Sequence, residues 1–393
     1  MSCAAQWKIK VVHAVLAMLF MLRSASCAAA STAQYSTLQY TADYSSLGPC
    51  EVTEQPLETL LLPEASSCGN YCRLSPRLHL PLPPNSSTGS LNPSSSAVQA
   101  DSTRCSTAPL PTVVFFSGFQ LRSAYYTPYA RWLASWGYAC VQYDLAMFHI
   151  VPDEVEHQGP PGLSRIGTAG HSRGGKLAAL HLADDPRVAA AFLVDPVDSG
   201  GHSSSAARGS LEAVADTGRS AVQALAGKHK QAAIAGAGVS GPCNPQQRSY
   251  HAFFEVLGAG SWLEVVPAGG HMQFASVTSS VIGRALDWLC HSGHTSHEHV
   301  IELAAPALIA WMEAQLRRKQ PGPTSGPAGA LLPVQSTHPA GNLATRHSIQ
   351  AGRLRQLEVQ DVLGLQAFFR WVNQEQLAGE ITFDVKQVTL LQT

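Results

Sequence analysis

The chain has 393 residues, a formal net charge of −1 and a charged fraction of 13%, about half the share usual in globular proteins. With 26 basic against 27 acidic residues and no basic stripe, nucleic acid is excluded as a partner. The apolar fraction of 45% is ordinary for a soluble enzyme, and the length allows one large domain or two small ones.

Taken in chain order, the first residues read as a targeting segment, assigned to 1–28. Lys8 and Lys10 supply positive charge, Val11 to Leu22 form a short apolar run, and small residues follow from Ser24 to Ala30. That order is the pattern of a secretory signal peptide, and the run is shorter than the roughly 20 residues a membrane span needs. The Ala- and Ser-rich, acid-free composition leaves a chloroplast transit peptide as the alternative. Cys50, Cys68, Cys72 and Cys105 follow in a stretch of loops and short strands. In a secreted chain they are disulfide candidates with three pairings open, and their spacing argues against zinc. Asn85-Ser86-Ser87 is a glycosylation acceptor pattern. Glu51 to Leu62 alternates like a strand, Arg77 to Leu82 is its candidate partner, and the Ser/Asn/Pro-rich residues 83–109 read as a loop insertion.

The main fold begins at Pro111. Thr112 to Phe116, Tyr138 to Tyr143, Arg165 to Ala169, Val188 to Val194, Ala232 to Val239 and Trp262 to Val266 are short, nearly continuous apolar runs. Such runs suit strands buried on both faces of a parallel sheet. Helical spacing separates several of them, at Tyr125 to Trp136, Lys176 to Leu182 and Val277 to Trp288. The fold class expected is therefore α/β: a mostly parallel central sheet flanked by helices on both faces, over residues 34–320. Glu298 to Arg318 closes this unit as a helix in which Pro306 predicts a kink. Residues 321–350 are Pro/Gly-rich and read as a flexible linker. Residues 351–393 regain amphipathic character around Leu363, Phe368, Phe369 and Trp371. Docking as a cap, membrane-surface contact and an unattached segment are all open for them.

One motif carries chemistry. Gly170-His171-Ser172-Arg173-Gly174 has the Gly-x-Ser-x-Gly spacing, which a chain of this composition shows roughly 0.3 times by chance. Its context is the informative part, because it follows a buried strand and opens a helix, as a nucleophile elbow requires. Small residues two before and two after the serine let a tight turn lift its hydroxyl clear of the sheet. A serine hydroxyl needs a base, and in this fold the base follows the last strand. Of 16 histidines, His271 alone stands there. His171 reads as packed in the elbow, and His149, His157 and His202 as solvated loop residues. The acid belongs at a strand end between serine and base. Asp195 closes the strand 188–194, Asp198 is its rival three residues on, and Asp216 is placed less well. Two backbone N–H donors complete the site, one at Arg173 and the other at Phe119 or Gln120, beside Gly118. This chemistry requires no metal and no organic cofactor.

With those residues in place, the chain resembles the chlorophyllases of plants and algae, a family of α/β-hydrolase serine esterases. Gly170 to Lys176 is similar to the family's lipase-like motif, with arginine after the serine and lysine after the second glycine. Val194-Asp195-Pro196-Val197 resembles its acid motif, Gly270-His271-Met272 its histidine motif, and Gly241 to Pro245 with Tyr250 to Phe254 the segment before the last strand. The resemblance covers roughly residues 50 to 290. It implies the α/β-hydrolase fold, hydrolysis of the phytyl ester of chlorophyll to chlorophyllide and phytol, and a triad of Ser172, Asp195 and His271.

The sequence departs from the family at three places. Ser117-Gly118-Phe119 stands where the family has His-Gly-Tyr, Gln273-Phe274 where it has Asp-Met, and Leu145 to Ser164 is a Pro-rich crossover with little room for a helix. For a large apolar ester, Leu121, Phe148 and Phe274, with Phe119 and Tyr125, are candidates to line the site, although each equally suits the core. Two other functions are carried alongside: a general carboxylesterase of the platelet-activating-factor-acetylhydrolase type, and a non-catalytic binding protein on the same fold. No protein partner is expected.

Overall fold

The computed structural model describes residues 42–61, 73–84, 104–105, 109–145, 165–198, 219–277, 281–317 and 362–387. The targeting segment 1–28, the linker 321–350, the crossover after Leu145, Cys68, Cys72, Asn85, Phe148, His149, His157, His202 and Asp216 lie outside the described residues.

Ten strands form one sheet among the described residues: β1 (Glu51–Pro56), β2 (Leu60–Leu61), β3 (Arg73–Leu82), β4 (Thr112–Phe116), β5 (Ala139–Leu145), β6 (Ile166–His171), β7 (Val188–Val194), β8 (Ala233–Val239), β9 (Trp262–Gly270) and β10 (Thr382–Val385). Their spatial order is β1-β3-β5-β4-β6-β7-β8-β9-β10, with β2 paired to β3. The six strands from β5 across to β9 run parallel, and β1, β3 and β10 are antiparallel additions at the two ends. A mostly parallel sheet in this order, covered on both faces, is the α/β architecture expected from the apolar runs and the α/β-hydrolase fold that the family resemblance implied.

The period-two alternation of the strands explains the two covering layers. In β4, Val113 and Phe115 point into one apolar cluster, and Val114 and Phe116 into the other. The first cluster is closed by α1 (Thr127–Ser135) and the long helix His297–Met312. The second is closed by α2 (Arg173–Asp184), α3 (Ala221–Leu225) and α4 (Tyr250–Val256). The chain moves from β4 to β5 on one side, then back past β4 to β6 on the other. This reversal leaves a crevice at the carboxyl ends of β4 and β6, where open α/β sheets place their sites.

The helix α5 (Val281–Cys290) follows β9, and α6 (His297–Met312) runs through Pro306. Below the sheet, Glu313 accepts hydrogen bonds from Arg104 Nη1 at 2.6 Å and Tyr138 Oη at 2.9 Å, with Arg317 Nε 3.1 Å away. Of residues 351–393, read from sequence as a segment apart, the described part, 362–387, joins the same sheet. Helix α7 (Val362–Ala378) lays Phe368 on Trp262, ring centroids 5.6 Å apart and nearly parallel, and β10 pairs with β9. Of the three arrangements open for this segment, docking is the one found. The physical reason lies in β9, whose edge would otherwise offer unpaired backbone and a large indole to solvent.

One core group carries a cost. Glu264 on β9 is buried among these helices, and neither carboxyl oxygen has a hydrogen-bond partner among the described residues. Burial, with the negative charge of Glu375 on α7, holds its carboxyl well above the ordinary value of 4.5, and Tyr129 on α1 is the other titratable group in its field. The folded chain keeps this proton while the unfolded chain releases it above pH 4.5, so stability falls as pH rises beyond that value. Glu264→Gln is expected to leave stability unchanged at pH 4 and to raise it increasingly toward neutral pH, with a slope of up to about 1.4 kcal/mol per pH unit. Urea unfolding at several pH values checks this, and parallel curves for both proteins would overturn it.

Candidate active site

The chain enters the site through β6 and leaves it through α2, and Ser172 is the single residue between them. Its backbone is left-handed, with φ 58° and ψ −120°, a conformation that costs about 1–3 kcal/mol outside glycine and marks functional turns. The flanking glycines are required by contact. A side chain on Gly170 would collide with the carbonyl of Gly174, and one on Gly174 with the carbonyl of Phe116. The turn leaves Ser172 partly exposed while its neighbours are buried.

Ser172 Oγ lies 2.9 Å from His271 Nε2, and His271 Nδ1 lies 2.6 Å from Asp195 Oδ2. Asp195 directly follows β7 in a left-handed conformation, φ 35°. Its carboxylate is fully buried and accepts two further hydrogen bonds, from Ala237 N at 3.0 Å and Asn244 Nδ2 at 3.1 Å. A carboxylate is acceptor-only, so it takes the Nδ1 proton of His271 and leaves Nε2 as acceptor for the serine hydroxyl. Burial and then the charge of Asp195 push the nearby Tyr250 phenol up to about 12.

Asp198, the rival acid, is spent elsewhere. Its carboxylate accepts from Ser220 Oγ at 2.5 Å, Ala221 N at 2.9 Å and Val222 N at 3.3 Å. It therefore caps the amino end of α3, where the amides lack intrahelical acceptors.

The histidine loop is held from both sides. Gln273 Oε1 accepts from Gly270 N and Gly293 N, each at 2.6 Å, and its Nε2 donates to the carbonyl of Thr295. Sequence reasoning noted Gln273 only as a departure from a family pattern. It also passed over Asn244, whose side chain bridges Asp195, the carbonyl of Val239 and the amide of Gly241. The turn Gly241-Pro242-Cys243-Asn244 was visible as part of a segment resembling the family's, and it is the amide of Asn244 that matters. A disulfide between Cys243 and Cys290 ties this turn to α5, and a second joins Cys50 to Cys105, one of the pairings open from sequence. By loop-closure entropy over 47 residues, Cys290→Ser is expected to lose about 4 kcal/mol of stability. Denaturant unfolding under non-reducing conditions measures it, and an unchanged midpoint would refute it.

Of the two amides expected to face a developing oxyanion, Arg173 stands at the first position of α2, and Phe119 follows Gly118 at the end of β4. The turn there closes with Leu121 N donating to Gly118 O at 3.1 Å, and Gln120 takes the left-handed position, φ 55°. Among the residues expected to line an apolar site, Leu121, Tyr125 and Phe119 are half-buried near this turn. Phe274 departs from that expectation: it is fully buried and lies against His171, ring centroids 6.4 Å apart, which places it in the core behind the base. Among the described residues no group of three or more metal-ligating side chains occurs, and no helix is long and apolar enough to cross a membrane.

The family model described as Chlorophyllase matches residues 144–322. A comparison with curated proteins finds no match. Among solved structures, a ferulic acid esterase from Streptomyces cinnamoneus is similar at 20% identity and a TM-score of 0.45, over 71% of this chain and 92% of the other. Residues 144–322 hold Ser172, Asp195 and His271 together; that segment is similar to the Chlorophyllase family, and the chain is a carboxylic ester hydrolase on the α/β-hydrolase fold.

Proposed function

We propose that the chain is a chlorophyllase, hydrolysing the phytyl ester of chlorophyll to chlorophyllide and phytol with Ser172 as nucleophile, His271 as base and Asp195 as orienting acid. The observation that carries this reading is the hydrogen-bonded chain Ser172–His271–Asp195 at a strained strand-to-helix turn, inside the segment similar to that family. His271 Nε2 takes the hydroxyl proton as Ser172 Oγ bonds to the ester carbon. The oxygen that becomes negative is met by the amides of Arg173 and Phe119. As the bond to the phytyl oxygen breaks, His271 returns the proton to that oxygen and phytol departs. Water then attacks the acyl-serine through the same base, and chlorophyllide leaves as its carboxylic acid.

Conversion of chlorophyll a to chlorophyllide by the full chain, absent in Ser172→Ala, is the expected result. Turnover confined to short acyl esters in a panel of chain lengths would overturn the pigment assignment in favour of a general carboxylesterase. The burial of Phe274 favours that second reading, because it removes one aromatic from the surface offered to a long apolar chain. A fluorophosphonate probe that fails to label Ser172 would leave a non-catalytic binding protein. We place the chain in the secretory pathway, and the disulfides Cys50–Cys105 and Cys243–Cys290 among the described residues support an oxidising compartment. Leader cleavage near residue 28 in the secreted protein is the check.

A further inference from the structure

We propose that Tyr126 and His171 are positioning residues that lock the loop carrying the base to the turn carrying the oxyanion amide. The inference rests on the hydrolase reading of Ser172 and His271 and adds a device to it. His171 Nε2 lies 3.0 Å from the backbone carbonyl oxygen of His271, and His171 Nδ1 lies 2.8 Å from Tyr126 Oη. Tyr126 Oη in turn accepts from Gly118 N at 3.2 Å. All of these side-chain atoms are buried, with His171 and Tyr126 fully enclosed.

The hydrogens in this network are dictated by what each partner can do. A carbonyl oxygen only accepts, so His171 Nε2 carries the hydrogen. The Gly118 amide only donates, so the Tyr126 oxygen accepts from it and directs its own hydrogen to His171 Nδ1. That donation holds His171 in the single neutral tautomer able to grip the His271 carbonyl. The direction of donation therefore runs unbroken from Gly118 N–H through Tyr126 and His171 to the backbone of the base. Burial, and after it the neighbouring His271, keeps the pKa of His171 well below the ordinary histidine range. The neutral state matters because the two imidazoles lie close, centroids 4.6 Å apart and planes tilted by 35°. The positive charge that His271 gains during acylation meets an uncharged ring. The site also explains Gly118, since any side chain there would press on Tyr126 Oη, Leu121 and His171 Nδ1.

A merely structural pair would affect folding alone, whereas this one acts through the register of the base. Hydrolysis of a p-nitrophenyl ester by the full chain is the assay. Tyr126→Phe is expected to lower kcat about tenfold, the effect of losing one hydrogen bond, with KM within about twofold. His171→Phe, which keeps the ring, should lose at least as much, and the double variant should be no worse than His171→Phe alone. The ¹⁵N resonances of His171 should show a protonated Nε2 and a bare Nδ1 in the parent and a mixture of tautomers in Tyr126→Phe. Wild-type kcat in Tyr126→Phe, or losses that multiply in the double variant, would overturn the proposal. If Tyr126→Phe does not fold, His171→Gln carries the test. Its amide restores a donor toward the His271 carbonyl and should hold kcat within a few fold of the parent, and a loss equal to that of His171→Phe would overturn the proposal. Ser172→Ala run alongside separates the two readings. Residual full activity there removes the hydrolase reading, whereas a dead Ser172→Ala beside an unaffected Tyr126→Phe removes this one only.

Discussion

Ser172→Ala is expected to abolish ester turnover, lowering kcat by about 10⁶-fold, because nucleophile and base act as one unit and the loss of either removes the covalent route. The fold should be untouched. Alanine occupies less space than serine at a partly exposed position, and the left-handed backbone is imposed by the Gly170 and Gly174 contacts rather than by the hydroxyl. The variant should therefore unfold at the parent's denaturant midpoint and no longer react with a fluorophosphonate. Activity within tenfold of the parent would mean that another group attacks the ester, and the assignment of roles to His271 and Asp195 would go with it.

Asp195→Asn should lower kcat about 10⁴-fold, and Asp198→Asn should leave it nearly unchanged. The two aspartates are three residues apart, but their hydrogen bonds differ in kind. An asparagine at 195 presents an N–H toward Asn244 or His271, or turns its carbonyl to one of them only. Facing an N–H, His271 must switch tautomer, which puts a hydrogen on Nε2 against Ser172 and removes the lone pair that takes the serine proton. Asp198 instead accepts from the amides that open α3. Its replacement should cost about 0.5–2 kcal/mol of stability, as for other lost caps. Steady-state kinetics and urea unfolding on both variants separate the effects. Equal kinetic losses would show that the acid had been assigned to the wrong residue.

Legibility in the sequence followed the range of the interaction. The strands were readable because burial on both faces writes itself into consecutive residues, as in Thr112 to Phe116. The elbow was readable because three local demands coincide within a few residues: a strand end, a helix start and two glycines. Other features depend on partners far away. Cys243 meets Cys290, Asp198 caps a helix that begins at Ala221, and Asn244 reaches back to Asp195. None of these leaves a periodic or spaced signature. Phe274 illustrates the same limit: an aromatic beside a base suits both a substrate wall and a core, and only the placement of His171 decides between them. β10 was missed because four residues with mixed exposure, Thr382 to Val385, lack the apolar run that revealed the central strands.

The pairing of β10 with β9 also orders events during synthesis. The strand that ends in the base reaches the ribosome exit well before the residues that cover its outer edge and its indole. Until those arrive, the nascent hydrolase carries an unpaired, aromatic-bearing border next to its reactive centre, a surface that invites pairing with neighbouring chains. Premature termination ahead of α7 should thus yield a product that is translated through every reactive residue yet is lost to aggregation.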